Sequence, residues 1–262
     1  MTRGRALFAV ALVAAFTQRA EAQSSPERAS LKGRVGVEGL RRPLRAEASV
    51  QRQRAFERLG SMGTNAALAL LEAALAPGGE ARDARERLIA VRALAAHVDR
   101  EVAVDALVRA LAGAHSKEDP RETLVEQTAA LALARSNRPR AQQALAQALR
   151  QPGRVSETAA LALAAHPPSS CQPLLEAAGT PTPALVRLLG ELGDRRAAPQ
   201  LFALAAGGQP ELRAEALLAL ARLDRARAVG LARSASAEPG STLAIAAARV
   251  LVEASDPGAT AA

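Results

Sequence analysis

Apolar positions along this chain recur at helical spacing, and the helical segments themselves recur. A leucine closes one segment after another at Leu59, Leu94, Leu133, Leu163, Leu189, Leu220 and Leu251, at intervals of 35, 39, 30, 26, 31 and 31 residues. Four residues before these anchors stand Ala55, Ala90, Ala129, Ala159, Leu185, Ala216 and Ala247; one residue before stand Arg58, Ala93, Ala132, Ala162, Leu188, Ala219 and Val250. At about 100° per residue the columns share one helical face. A small side chain four before a leucine lets a neighbouring helix approach closely, as stacked layers require. Units of this length, each with one apolar face that only a neighbour can bury, predict an α-solenoid.

After most anchors come a turn and a second apolar helix. Leu94-Ala-Ala-His-Val-Asp99-Arg100 leads into one, Leu189-Gly-Glu-Leu-Gly-Asp194-Arg195 into another, and Leu220-Ala-Arg-Leu-Asp224-Arg225 into a third. Asp99, Asp194 and Asp224 suit helix N-caps, where a short carboxylate accepts the free first-turn amides. Gly193, Gly207 and Gly208 suit helix ends. The pattern predicts a half-repeat helix over 46–62, then six helix pairs ending near residues 97, 136, 165, 193, 223 and 255. Around Pro167-Pro168-Ser-Ser-Cys171 the layer is short, and its first helix is the least marked of the pattern.

The segment LGELGDRRAAPQLFALAAGGQPELRAEALLALARLD, Leu189 to Asp224, resembles the HEAT-like repeats of the short bacterial type first named from bilin-lyase subunits. Its Gly-Asp turn is followed by one helix, a short loop and a second helix that carries arginine. Arg213, seven before Leu220, stands where that family usually has arginine, and Arg52 and Arg87 share the offset; Glu126, Ser156, Thr182 and Ala244 depart from it. The resemblance covers about residues 46–256. It implies an all-α, HEAT-like or armadillo-type superhelix of about six helix pairs plus an N-terminal half-repeat, with the second helices lining a concave surface. Such a fold hosts many unrelated functions.

Composition agrees with helices. Apolar residues make up 49% of the 262 and aromatics 2%, with no Trp or Tyr, so β-branched and aromatic strand formers are sparse. The first 22 residues read as a secretory signal peptide: Arg3 and Arg5, an apolar run from Ala6 to Phe16, then Ala20-Glu21-Ala22 as a small-x-small cleavage site. The run is about half the ~20 residues of a membrane span, and Arg19 closes it. A periplasmic or secreted location, with cleavage after Ala22, is the expectation. Cys171 is the only cysteine, so no intrachain disulfide forms.

The formal charge of +8 is unevenly spread. Between Glu27 and Arg58 nine basic residues face four acidic ones, so basic character gathers at the start and leaves the repeats near neutral. Residues 23–45, rich in Gly, Pro and Arg, read as a flexible basic arm, and 257–262 as a frayed tail. A near-neutral, aromatic-poor array lacks the basic stripe and stacking platforms that nucleic acid needs. No nucleic-acid partner is expected.

Candidate chemistry is thin. His97, His115 and His166 fall in different segments without metal-ligand spacing, so no metal site is expected. Cys171 has no positioned base, His166 being separated from it by two prolines. No phosphate loop, nucleophile elbow or zinc motif occurs. These readings expect no catalytic residue, no cofactor and no enzymatic activity.

The residues two before each anchor lie about 160° from it: Glu57, Arg92, Leu131, Leu161, Arg187, Leu218 and Arg249. Where second helices line a concave face, Arg92, Leu131, Leu161, Arg187, Leu218 and Arg249 form the candidate binding site, apolar at Leu131 and Leu161 with charge beside it. Apolar anchors with a charged rim suit a protein or peptide partner. The alternative is that curvature buries these leucines between layers. The expected function is therefore an exported scaffold or adaptor. Other readings are a lumenal interaction domain tethered by an uncleaved signal helix, and a lyase or lyase subunit.

Overall fold

The computed structural model describes residues 36–113, 120–235 and 241–255. All regular structure among them is helical: α1 (Val37–Leu44), α2 (Ser49–Met62), α3 (Asn65–Leu75), α4 (Ala84–Ala95), α5 (Glu101–Leu111), α6 (Pro120–Ala134), α7 (Pro139–Ala148), α8 (Arg154–Ala165), α9 (Gln172–Ala177), α10 (Pro183–Leu192), α11 (Ala198–Gly207), α12 (Pro210–Leu223), α13 (Arg225–Ala235) and α14 (Thr242–Ser255). A 3-10 turn, Arg195–Ala197, leads into α11. The helices divide into two compact units, up to Ala106 and from Leu107. The signal segment, residues 23–35 of the expected arm and the tail 257–262 lie outside the described residues.

In the unit from Leu107, the second helix of each pair stacks on the next: α6 on α8, α8 on α10, α10 on α12 and α12 on α14. First helices pack behind them, α7 against α9 and α11 against α13. This is an α-solenoid. Leu133, Leu163, Leu189 and Leu220 are buried, as are Ala129, Ala159, Leu185, Ala216 and Ala247 in the column four before. The tightest crossing lies elsewhere. A Cβ on Gly190, one after its anchor, would come within 2.7 Å of Ala219, one before the next. In the unit up to Ala106, a Cβ on Gly60 would come within 2.5 Å of the Ala93 Cβ, so the same offset pair sets the separation of α2 and α4.

The helices begin and end where the chemistry dictates. Thr64, Asp83 and Thr182 accept the amides of Ala67, Glu86 and Leu185, and Asp194 accepts that of Arg196 at 3.0 Å. Asp224 accepts the amide of Arg227 at 3.1 Å. Asp99 does not fill the expected position. The Val104 amide bonds the Arg100 carbonyl, so Arg100 holds the cap position and Asp99 precedes it, paired with Arg100 at 3.9 Å. Gly193 ends α10 in the left-handed conformation, φ 73°, which glycine adopts without a Cβ clash.

Two expectations about the N-terminal side are corrected. Residues 37–44 are a helix rather than part of a flexible arm, and α2 is not a lone half-repeat, since α1 packs on it. The reason is apolar spacing. Leu40 and Leu44, one helical turn apart, are buried, while Glu38, Arg41 and Arg42 stay exposed.

The unit up to Ala106 also holds a buried ion pair. Glu86 on α4 is fully buried and takes Nε and Nη2 of Arg52 on α2, the latter at 2.6 Å. Ser49 Oγ and the Arg82 amide complete its carboxylate at 2.6 and 3.0 Å. Arg52 Nη1 reaches back to the carbonyls of Ala46 and Glu47, both at 2.6 Å. Burial pushes the Glu86 carboxyl up, but the hydrogen bonds from Arg52, Ser49 and Arg82 outweigh it and hold the group below the usual range. The pair therefore ties one layer to the next and closes the loop between α1 and α2.

Candidate functional site

The face of α6 and α8 opposite their anchors is open. Leu161 is 60% exposed and Leu131 is 39% exposed, so neither leucine lies between layers. Adjacent packed helices lie ~8–10 Å apart, which makes the two leucines neighbours on one surface. Leu124, 50% exposed and two turns before Leu131, extends the patch along α6. The sequence reading missed it, although the seven-residue spacing to Leu131 was legible.

Polar pairs cross the layers beside these leucines. Gln127 on α6 donates to Thr158 Oγ1 on α8 at 2.8 Å. Arg187 on α10 bridges Glu157 on α8 at 3.1 Å and Glu215 on α12 at 3.5 Å. Arg222 on α12 reaches Glu191 on α10 at 3.9 Å. Partial burial pulls the Arg187 guanidinium down, but Glu215 and Glu157 outweigh it and hold the cation above its ordinary value. Arg187 thus stands on the predicted face as the centre of an ionic ladder, not as an unengaged rim charge. Such exposed pairs add little stability individually.

The other predicted residues divide. Leu218 is only half-exposed on α12. Arg249 is exposed on α14 and pairs within its helix with Glu253 at 2.7 Å. Arg92 is exposed on α4, in the unit up to Ala106. The structure therefore brings together Leu124, Leu131, Leu161, Arg187 and Leu218 on one run of second helices.

Of the titratable candidates, His97 has a structural role. His97 lies within hydrogen-bond distance, 2.6 Å, of the Gly60 carbonyl and so joins α2 to the end of α4. His166 is exposed at the end of α8, and His115 lies outside the described residues. Among the described residues no cluster of His, Cys, Asp or Glu has the arrangement to hold a metal ion, and no helix is long and apolar enough to cross a membrane. Cys171 is half-buried and faces Asp194 and Arg196. Burial pushes its thiol up, and the Asp194 carboxylate pushes it further. Asp194 itself, hydrogen-bonded by the Arg196 side chain and amide, is held down at about 2.

No family model and no curated protein matches the sequence. Among solved structures the fold is similar to human deoxyhypusine hydroxylase in complex with glycerol, with a TM-score of 0.33 and 17% identity over 87% of this chain and 98% of that one. That protein is by name an enzyme. The expectation that this chain catalyses nothing is corrected: it rested on missing motifs alone, and a helical repeat fold hosts many unrelated functions.

Proposed function

We propose that this chain binds a protein or peptide partner on the second-helix face of the unit from Leu107, with Leu124, Leu131 and Leu161 as apolar anchors. One observation carries the reading: three large leucines stand exposed together on α6 and α8, on a face where the neighbouring polar groups already satisfy one another across the layers. The exposed part of these leucines adds nothing to the stack, whereas desolvated apolar anchors ringed by polar groups dominate binding energy in protein interfaces. The partner docks on preformed helices, so little ordering opposes association. Arg187, held by Glu157 and Glu215, gives the apolar patch a fixed polar border.

The resemblance to the short bacterial HEAT-like repeats belongs to the same proposal. In support, the arginines at the family offset do one job: Arg52 donates to the Ala46 and Glu47 carbonyls, Arg87 to Ala81 and Arg213 to Ala205. Each ties its second helix to the chain leading into it. Export to the periplasm or medium, with the mature chain beginning at Gln23, completes the reading and rests on the first 22 residues. The test is quantitative affinity capture from the native cell envelope with wild type and Leu131→Asp/Leu161→Asp. Loss of the same proteins from a variant with unchanged melting supports the site; equal capture removes it.

A further inference from the structure

Two corners of the leucine face carry arginine. On α6 Arg135 follows Leu131 by four residues, and on α8 Arg154 precedes Leu161 by seven. At about 100° per residue each falls within about 40° of its leucine, so cations and leucines share one face. Gln127 donates to Thr158 Oγ1 at 2.8 Å, in keeping with the 30-residue interval between the anchors Leu133 and Leu163. Leu131 therefore lies level with Leu161, and Leu124 level with Arg154.

Both arginines are exposed, and neither side chain has a partner among the described residues. Between Glu126 and Glu157 the sequence holds five arginines and no Asp or Glu, so this stretch supplies no carboxylate to pair them. Glu157, three residues after Arg154, is taken by Arg187 at 3.1 Å. Elsewhere on the second helices Arg187, Arg222 and Arg249 each meet a glutamate. Arg135 and Arg154 stand apart from that pattern, and they stand beside the exposed leucines.

We propose that the partner crossing this face frames its apolar residues with two carboxylates, one for Arg135 and one for Arg154; the inference rests on the leucine face being the binding surface. At 1.5 Å per residue Arg135 lies ~6 Å beyond Leu131, and Arg154 ~10 Å before Leu161. With ~8–10 Å between α6 and α8, the two cations stand ~19 Å apart on a diagonal that passes the leucines. That span is about five or six residues of extended chain, or about three and a half turns of helix. Arginine suits the role, because its planar fork takes a carboxylate through two parallel hydrogen bonds.

A broad anionic surface fits less well. Glu157, Glu191 and Glu215 adjoin the patch and bring the face close to neutral, so a bilayer or a duplex meets repulsion beside each attraction. Single strands of nucleic acid stack on aromatic rings, and α6, α8, α10, α12 and α14 contain none. Two carboxylates on one peptide meet the two cations and leave the glutamates aside.

Selection from a phage-displayed library of random peptides about 12 residues long, on the purified chain at low salt, is the test. Enriched peptides should hold Asp or Glu on both sides of apolar residues. A synthesised representative should lose affinity at least about tenfold when its carboxylates become amides, and by the same factor on Arg135→Glu/Arg154→Glu. The variant should melt like the wild type, since both side chains are exposed and unpartnered. Both losses should shrink in about 0.5 M salt. Peptides that require Leu131 and Leu161, show no acidic excess and bind Arg135→Glu/Arg154→Glu equally would overturn this inference and leave the leucine face standing. Peptides bound equally well by Leu131→Asp/Leu161→Asp, or a selection that enriches nothing, would remove the leucine face and this inference with it. Phosphatidylglycerol vesicles that displace the peptide from the wild type and bind only when Arg135 and Arg154 are present would assign the cations to a lipid surface and overturn it.

Discussion

Converting Glu86 to Gln removes one charge from the most buried ion pair among the described residues. Arg52 then keeps its two bonds to the Ala46 and Glu47 carbonyls, but its Nε and Nη2 donors share one neutral amide oxygen in place of a carboxylate. Removing one member of a buried pair costs about 3–5 kcal/mol, because the remaining charge is stranded in low dielectric. Arg52→Met should cost a similar amount, leaving Glu86 with only Ser49 and the Arg82 amide as donors. The double variant Arg52→Met/Glu86→Leu strands no charge. What it loses is the pairing of two backbone carbonyls and one amide, at about 1–3 kcal/mol for each group that water cannot reach. With no charge stranded, its total should fall short of the sum of the singles, the signature of direct coupling. Urea unfolding followed at 222 nm, with a check that the slope is unchanged across the four proteins, measures all the terms. Additive effects, or single substitutions costing under about 1 kcal/mol each, would refute the claim that this pair holds the layers of its unit together.

The same carboxylate sets an acid limit. Its folded pKa lies below the unfolded value of about 4.3, so its stabilisation is complete above that pH and is lost as pH falls through the folded value; Glu86→Gln should flatten the acid limb of a pH–stability profile. At the tight crossing, Gly190→Val should cost at least about 1–3 kcal/mol by overpacking against Ala219, whereas Gly230→Ala, with open space around it, should be nearly neutral; equal urea midpoints would contradict the crossing geometry. Ala216→Leu should cost about 1–3 kcal/mol and Ala214→Leu much less, since Ala216 is buried and Ala214 half-exposed. The Cys171 thiol, raised by burial and by Asp194, should react with iodoacetamide more slowly at pH 7.5 than a free cysteine, and Asp194→Asn should speed it; an unchanged rate would show that the carboxylate does not act on the sulfur.

The layered fold was legible because a solenoid writes itself into local periodicity. Each second helix must bury the same face, so the columns at the anchor and four before it repeat visibly from Leu59 to Leu251. The same periodicity placed Leu131 and Leu161 opposite the buried face, where they stand. What was not legible depends on separations that one helix cannot encode. The Arg52–Glu86 pair joins residues 34 apart on two helices, and the Glu157–Arg187–Glu215 ladder spans three layers, so neither appears until the register between layers is fixed. α1 was missed for a different reason. Its glycine, proline and arginines outweighed the two buried leucines that make it a helix, a case of tertiary packing overriding local propensity. Cys171 was compared with the nearby His166, but the fold brings it Asp194 and Arg196 from the next turn instead.

Site-specific photo-crosslinking puts the proposed binding surface, the leucine face of α6 and α8, to a direct test. A benzophenone amino acid placed at Leu161 in one strain, and at exposed Ala226 on α13 in another, is irradiated in living cells and the adducts are identified by mass spectrometry. A binding face gives a discrete adduct with a protein partner from position 161 that is absent from position 226, and that Leu131→Asp abolishes without changing the amount of folded protein. An empty lane at 161, or the same adducts from both positions, would contradict it.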